Sequence, residues 1–183
     1  MITVGRLLLI PPVLLLVGSH NRWAGFLAML LFMMASLLDI VDGWLARRRG
    51  LVTVFGKFVD PLADKIMVMS LLVYLVAADR IPPWMVVVML GRDFYISGLR
   101  SVASAEGVVI AAGEGGKAKT GFQLIGICFV LVHFRYRMLG MDDWVDYHKV
   151  GLVLLYVSLV LSIVSAIQYT AEFRDALQQK RTG

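Results

Sequence analysis

The sequence predicts an all-α integral membrane protein, a bundle of six transmembrane helices with both termini in the cytoplasm. Hydrophobic residues make up 59% of the 183 residues and the mean hydropathy is +0.78, well above the roughly half-apolar composition of a soluble domain. Apolar runs close to the ~20 residues that cross ~30 Å of hydrocarbon recur along the whole chain. Basic residues concentrate at alternate ends of these runs. Because of this composition and these apolar runs, a water-soluble core is excluded.

Each of the six predicted spans is bounded by short polar stretches. They cover residues 3–18, 23–47, 56–78, 84–105, 118–137 and 148–171, and a charged tail follows the last. The connections between them are short, as in a compact helical bundle. Residues 1–183 are therefore expected to form a single membrane domain.

The positions of lysine and arginine predict how the bundle lies in the membrane, because these residues concentrate on the cytoplasmic side. With the amino terminus inside, the inner segments hold most of the basic residues: Arg47, Arg48, Arg49, Lys57, Arg92, Arg100, Lys117, Lys119, Arg174, Lys180 and Arg181. The outer segments hold fewer: Arg22, Arg80, Arg135, Arg137 and Lys149. Trp23, Trp84 and Trp144 lie at the outer starts of three spans, where an aromatic belt is expected. The sequence thus predicts a multi-pass protein of the cell's inner, cytoplasmic membrane.

Four aspartates fall within 26 residues of a very apolar stretch: Asp39, Asp42, Asp60 and Asp64. The first two are three residues apart and the last two are four apart, so each pair projects from one helical face. The first pair lies shortly before the end of the second span and the other shortly after the start of the third. We therefore expect all four to lie at similar depth, near the cytoplasmic face, on adjacent antiparallel helices.

Four ionised carboxylates so close together repel one another strongly at low dielectric and are costly at membrane depth unless they are paired. Mg²⁺ or Mn²⁺ prefers all-oxygen ligands, and two such ions can clamp a phosphoryl group while neutralising its developing charge. Gly43 and Gly56 permit close approach of helix backbones and a ligand, and Ala46 keeps the same surface open. The alternative is that the aspartates pair with the basic residues 47–49 and Lys57 as interface residues.

A second set of charges lies in the fourth span and at the start of the fifth. Arg92 and Asp93 are placed near the bilayer middle, where an arginine implies a polar cavity. Lys117 and Lys119 open the fifth span, where free backbone N–H groups and the positive helix end favour an anion. Together these features indicate a phosphorylated ligand. The alternatives are a structural Arg92–Asp93 pair and lysines that act only as topology determinants.

The pattern DxxDGxxAR, followed after eight residues by GxxxDxxxD, resembles the signature of the CDP-alcohol phosphatidyltransferases, and every position of it is present between Asp39 and Asp64. The resemblance implies transfer of a phosphatidyl group from CDP-diacylglycerol to a small alcohol. It implies metal binding by Asp39, Asp42, Asp60 and Asp64, with Asp64 also the base that deprotonates the acceptor hydroxyl. It further implies that the CDP-diacylglycerol site includes Gly43, Ala46, Arg47, Thr53, Gly56, Thr3 and Arg6.

The stretch from Arg92 to Arg100, the Gly116–Thr120 segment and the early Arg6–Pro11 run are similar to the bacterial phosphatidylglycerophosphate synthase branch of that family. This similarity implies that sn-glycerol 3-phosphate is the acceptor and that Arg92, Arg100, Lys117 and Lys119 hold its phosphate. It also implies a homodimer in the lipid bilayer and no nucleic-acid partner. The alternatives are inositol phosphate, serine or phosphatidylglycerol as acceptor and, from another class, a divalent-cation transporter.

Overall fold

The computed structural model describes the backbone of residues 2–19, 21–49, 54–107, 114–137 and 144–182, and the side chains of 8–19, 21–38, 65–107, 116–135 and 144–180. Six helices lie within these residues, one for each predicted span. They are α1 (Ile2–Gly18), α2 (Arg22–Arg49), α3 (Val54–Ala77), α4 (Pro83–Ala105), α5 (Glu114–Val132) and α6 (Tyr147–Thr182). The predicted helical architecture is confirmed to this extent.

The predicted end of the fifth helix was wrong, because α5 ends at Val132 rather than at residue 137. His133 adopts a positive φ of 60°, a backbone conformation that L residues do not continue as a right-handed helix. The chain then forms β1 (Arg135–Arg137), which pairs antiparallel with β2 (Trp144–Asp146) in a two-stranded sheet. The fold therefore adds a short β-ribbon to the predicted helices.

Two glycines let α5 and α6 pack closely along their length. A Cβ on Gly151 of α6 would lie 2.7 Å from Val130 Cγ2 and 2.9 Å from the carbonyl oxygen of Gly126 on α5. Real Cβ atoms do not approach other atoms this closely, so only glycine fits the crossing. In addition, α1 packs against both α2 and α3, and α4 packs against α6. The buried residues Val13, Phe32 and Leu71 belong to one apolar core.

The apolar surface of α6 is typical of a helix that contacts lipid. Among the described side chains, one helix is long and apolar enough to cross a membrane, spanning Tyr147–Lys180 with a mean hydropathy of 2.6 in its most apolar window. Val153, Val160 and Ile167 are each 60–65% exposed, and their spacing of seven residues places them on one face. Shorter apolar stretches occupy Leu8–Gly18, Arg22–Leu38 and Lys65–Ala77. These features are consistent with a membrane protein.

Arg80, which the sequence indicates only as an outer-side basic residue, lies in the loop between α3 and α4, yet it is buried and only 4% exposed. Its Nη1 donates to the carbonyl oxygen of Leu131 at 3.1 Å, and its Nη2 donates to that of Val17 at 3.0 Å. These are carbonyls of the last turns of α5 and α1, which have no partner within their own helices. Burial lowers the pKa of the Arg80 guanidinium. One side chain therefore ties together two helix ends that are distant in sequence.

We expect Arg80→Met to destabilise the fold by about 2–4 kcal/mol, because hydrogen bonds to a charged donor contribute roughly 1.5–3 kcal/mol each and both carbonyls lose theirs. The measurement is the midpoint of denaturant unfolding in detergent micelles. Arg135→Met is the matched control, since the Arg135 side chain is 66% exposed and bonds Asp146 at 3.4 Å; it should cost less than about 1 kcal/mol. Equal unfolding midpoints for the two variants would show that the Arg80 bonds contribute nothing.

Candidate active site

The four predicted metal-binding aspartates lie in the C-terminal half of α2 and the N-terminal half of α3. Asp39 and Asp42 are in α2, and Asp60 and Asp64 are in α3, but all four side chains lie outside the described residues. The backbone is helical through both pairs, so the spacings of three and four residues do place each pair on one helical face. The all-oxygen donor set fits Mg²⁺ or Mn²⁺. Among the described side chains, no three His, Cys, Asp or Glu groups come together to hold a metal ion.

The packing against α1 relates the depths of the two aspartate pairs. Ala35 of α2 and Met67 of α3 line one small gap beside α1, so they mark a common level. At a rise of 1.5 Å per residue, Asp39 lies about 6 Å from that level toward the C-terminal end of α2, and Asp64 lies about 4.5 Å from it toward the N-terminal end of α3. By the same measure Asp42 and Asp60 each lie about 10 Å below that level. The backbone therefore supports similar depths for the two pairs.

A large cavity opens between α3, α4, α5 and α6, with a volume of about 570 Å³. All four residues predicted to hold the acceptor phosphate line it. The described lining also includes a fifth cation, Lys65 of α3, and a single carboxylate, Asp93 of α4. Cationic side chains line this cavity: Lys65, Arg92, Arg100, Lys117 and Lys119. Its described wall therefore carries a formal excess of four positive charges, which favours a polyanionic ligand.

Asp93 is held by two of these cations. Lys119 Nζ donates to both carboxylate oxygens of Asp93, at 2.7 and 2.9 Å, and Arg92 Nη1 donates to one of them at 3.0 Å. The Lys119 side chain is 6% exposed and the Arg92 side chain 14%. The structural Arg92–Asp93 pair, which the sequence left open as the alternative to phosphate binding, is therefore present, and it is part of a three-member cluster that links α4 to α5.

Further bonds fix Arg92 against α6. Its Nε donates to the carbonyl oxygen of Ser162 at 2.9 Å, and its Nη2 donates to Ser165 Oγ at 3.2 Å. A guanidinium carries five N–H donors, so the described partners leave two for a ligand. Arg92 thus joins the cluster to α6 while its charge still contributes to the cavity.

Arg100 and Lys117 are the more open cations of the cavity. The Arg100 guanidinium lies 5.5 Å from the ring centroid of Tyr169 on α6, a cation–π contact that orients the side chain without neutralising it. Lys117 is exposed and lies in the first turn of α5, where the helix dipole also favours an anion. Among the described residues, no carboxylate pairs with either side chain. These two are therefore best placed to bind an incoming phosphate directly.

The structure is silent on the predicted CDP-diacylglycerol site. Thr53 lies outside the described residues. Of the other predicted residues only the backbone is described: Thr3, Arg6, Gly43, Ala46, Arg47 and Gly56. The sequence prediction missed Lys65, Ser97, Ser165 and Tyr169, which all line the cavity. A signal was present for Lys65, since it directly follows Asp64 in an apolar span. Ser97 lies within the Arg92–Arg100 stretch that carries the family resemblance, but it was assigned no role. Ser165 and Tyr169 carry no charge and gave no signal.

Comparison with known proteins decides the family. A family model described as CDP-alcohol phosphatidyltransferase matches residues 1–164. The chain belongs to the CDP-alcohol phosphatidyltransferase family. A relative from Bacillus subtilis, named CDP-diacylglycerol–glycerol-3-phosphate 3-phosphatidyltransferase, is 36% identical over 97% of this chain and 95% of its own length. One of the same name from Shigella flexneri is 34% identical, over 98% and 96%. A probable phosphatidylglycerophosphate synthase of Mycobacterium tuberculosis is 32% identical, over 93% and 78%.

The family match covers the aspartate-bearing parts of α2 and α3. The matched region contains the whole DxxDGxxAR and GxxxDxxxD pattern, which begins at Asp39 and ends at Asp64. Val68 lies four residues after Asp64 on the same face of α3, and Val68 lines the cationic cavity. The cavity therefore borders the helical face that carries the end of the family's CDP-alcohol phosphatidyltransferase signature.

Proposed function

We propose that this chain transfers the phosphatidyl group of CDP-diacylglycerol to sn-glycerol 3-phosphate, giving phosphatidylglycerophosphate and CMP. The observation that carries the proposal is the cation-lined cavity that adjoins the signature face of α3. A phosphorylated acceptor bears close to two negative charges at neutral pH, and four aspartates repel it unless a separate cationic site attracts it. The relatives' names point to the same donor and acceptor.

In the proposed mechanism the acceptor's phosphate binds in the cavity and its free hydroxyl lies beside Asp64. Asp64 takes the hydroxyl proton as the oxygen attacks the phosphatidyl phosphorus, and the bond from that phosphorus to the CMP oxygen breaks. Gly43, Ala46, Arg47, Thr53 and Gly56, with Thr3 and Arg6, hold the donor. Asp39, Asp42, Asp60 and Asp64 would hold Mg²⁺ or Mn²⁺, which neutralises charge on the pyrophosphate when bound.

The placement of the protein follows from the same proposal. In this proposal six spans cross the inner membrane, and both termini and the active site lie on its cytoplasmic side. The acyl chains of the donor then stay in lipid while its cytidine is in water. Cysteines introduced singly at Glu106 and at Asp146, with Cys128 replaced, test the orientation. The cysteine at position 106 should react with a membrane-impermeant thiol reagent only from the cytoplasmic side, and the cysteine at position 146 only from the other side. The proposed homodimer is tested by cross-linking in membranes.

Acceptor competition tests the function most directly. Purified protein is incubated with CDP-diacylglycerol and, separately, sn-glycerol 3-phosphate, glycerol, serine, inositol phosphate and phosphatidylglycerol, and CMP release is followed. We expect release with sn-glycerol 3-phosphate to exceed that with unphosphorylated glycerol by at least about a hundredfold, because each lost charge-assisted bond costs roughly 1.5–3 kcal/mol. Comparable rates with glycerol would contradict a phosphate site. Preference for inositol phosphate would keep that site and change the acceptor.

We expect Arg100→Ala and Lys117→Ala each to raise the KM for sn-glycerol 3-phosphate by about ten- to a hundredfold, with donor KM nearly unchanged. Neither residue holds Asp93, so their loss removes ligand contacts and leaves the cluster intact. Arg92→Ala and Lys119→Ala should raise the same constant and also lower stability, because Asp93 loses a buried partner. Steady-state titration of both substrates measures these effects.

The matched control for the acceptor-site variants is Arg174→Ala. The Arg174 side chain is 70% exposed and pairs with Asp175 outside the cavity. Its removal should change either Michaelis constant by less than about twofold. If Arg100→Ala and Lys117→Ala raised the donor constant instead, the cavity would belong to the donor and the acceptor assignment would be wrong.

A further inference from the structure

Lys65 is the cavity cation that neither the sequence pattern nor the family signature includes. It directly follows Asp64 on α3 and its Nζ donates a hydrogen bond to Ser97 Oγ on α4. We propose that Lys65, held in place by Ser97, binds the acceptor's phosphate at the end of the cavity next to Asp64, and so positions the acceptor hydroxyl for deprotonation. This inference rests on the proposed function and assigns Lys65 and Ser97 as positioning residues within it.

The geometry of Ser97 explains why its hydroxyl accepts from Lys65. Ser97 Oγ lies 2.6 Å from the carbonyl oxygen of Asp93, one turn earlier in α4. A hydroxyl has one proton, and that proton is donated to the Asp93 carbonyl. The remaining lone pairs of Oγ therefore face the ammonium of Lys65 as acceptors. Ser97 thus fixes the ammonium against α4 and ties it to the same turn that carries the Asp93 cluster.

No described carboxylate pairs with Lys65, whereas Lys119 is paired with Asp93. Lys119 donates to both oxygens of Asp93, whereas the partner of Lys65 among the described side chains is a neutral hydroxyl. An ammonium has three N–H donors, and Ser97 takes one of them. Within the described part of the chain, Lys65 therefore offers an ammonium without a carboxylate partner, and two further donors, to an anion in the cavity.

The position of Lys65 in α3 relates it to the chemistry. It is half-buried, and together with Val68 and Met69 it forms the α3 wall of the cavity. Adjacent residues in a helix differ by only about 1.5 Å along its axis, so the backbone that carries Lys65 lies at nearly the same axial level as the backbone that carries Asp64. The cations of α4 and α5 approach the cavity from the other walls. Lys65 is the cavity cation adjacent in sequence to the proposed base.

The experiment compares Lys65→Met, Lys65→Arg, Ser97→Ala and the double variant Lys65→Met/Ser97→Ala in steady-state titrations of both substrates. Lys65→Met should raise the KM for sn-glycerol 3-phosphate by about ten- to a hundredfold while donor KM changes less than about twofold. In Lys65→Arg the KM for sn-glycerol 3-phosphate should stay close to the wild-type value, because arginine keeps the positive charge. Ser97→Ala should raise the acceptor constant by roughly three- to tenfold, and the double variant should be no worse than Lys65→Met, since both act through one ammonium.

Lys149→Met is the control, because Lys149 is an exposed lysine near the start of α6, remote from the cavity lining. It should leave both constants unchanged. Calorimetric titration of sn-glycerol 3-phosphate without donor gives a second readout, and the affinity should fall for Lys65→Met by the same factor as the KM rises. An unchanged acceptor KM in Lys65→Met, or additive effects in the double variant, would overturn the inference. CMP release from the wild-type protein, measured in the same series, tests the proposed function separately. If the proposed function is wrong, the wild-type protein shows no preference for sn-glycerol 3-phosphate.

Discussion

Asp64→Asn is expected to lower kcat by about a hundred- to ten-thousandfold, the contribution typical of a general base. Asparagine keeps the size of the side chain and one ligating oxygen but cannot accept the hydroxyl proton. Both Michaelis constants should therefore change by less than about threefold. By contrast, Asp39→Asn, Asp42→Asn and Asp60→Asn should raise the metal concentration needed for half-maximal rate and weaken donor binding. CMP release at saturating substrates, measured across a titration of Mg²⁺, separates the two classes of variant.

A pH series sharpens the assignment of Asp64. In wild type the rate should fall at low pH as the base is protonated, and this fall should be weaker in the residual rate of Asp64→Asn, where the remaining acid sensitivity comes from Asp39, Asp42 and Asp60. Asp93→Asn provides the contrasting variant, because Asp93 holds Arg92 and Lys119 and has no assigned proton to take. It should alter acceptor KM and stability while the fall in rate at low pH is preserved. Wild-type turnover in Asp64→Asn would remove Asp64 from the role of base.

The helices were predictable because their signals are strong and local. Long apolar runs with polar ends gave six segments, and each corresponds to a helix whose bounds differ by a few residues in most cases. The end of α5 was not predictable, because a positive φ at His133 and pairing of β1 with β2 depend on a neighbouring segment rather than on hydropathy. The burial of Arg80 was not predictable, for a similar reason. A basic residue in a loop resembles a topology signal until the fold brings the carbonyls of Val17 and Leu131 to it.

The cavity shows the same division between local and long-range information. Charges are expensive at membrane depth, so Arg92 was identifiable from its position in the fourth span. Lys117 and Lys119 were identifiable from the start of the fifth span, and Arg100 from the family resemblance. The fold brings all four to one cavity. Sequence reasoning treated them as equivalent. The structure distinguishes them, since Asp93 engages Arg92 and Lys119 and leaves Arg100 and Lys117 more open. This division depends on contacts between α4 and α5, and no spacing within one helix reveals it.

Removal of divalent cations is expected to abolish activity. In excess chelator, CMP release should fall by at least about a thousandfold, because four carboxylates and a pyrophosphate then repel one another without a counter-charge, and each unit of lost electrostatic stabilisation of about 1.4 kcal/mol is a tenfold loss in rate. Mg²⁺ or Mn²⁺ added beyond the chelator should restore the rate, whereas a matched increase in sodium chloride should not. Chelator already saturated with Mg²⁺ is the control for direct inhibition.

Metal binding also has a readout that does not depend on turnover. Mn²⁺ bound to the protein should be detectable by electron paramagnetic resonance without any substrate, and Asp39→Asn and Asp60→Asn, one from each helix, should both weaken it. A single substitution on either helix should weaken Mn²⁺ binding if ligands from α2 and α3 hold the same ions. The four acidic side chains should then be mutually repulsive in the metal-free protein, so Asp42→Asn should stabilise the metal-free form while weakening the metal-bound one. Full turnover in excess chelator, or Mn²⁺ affinity unchanged by all three variants, would leave the aspartates without a metal role, and Arg47–Arg49 and Lys57 would then be their partners.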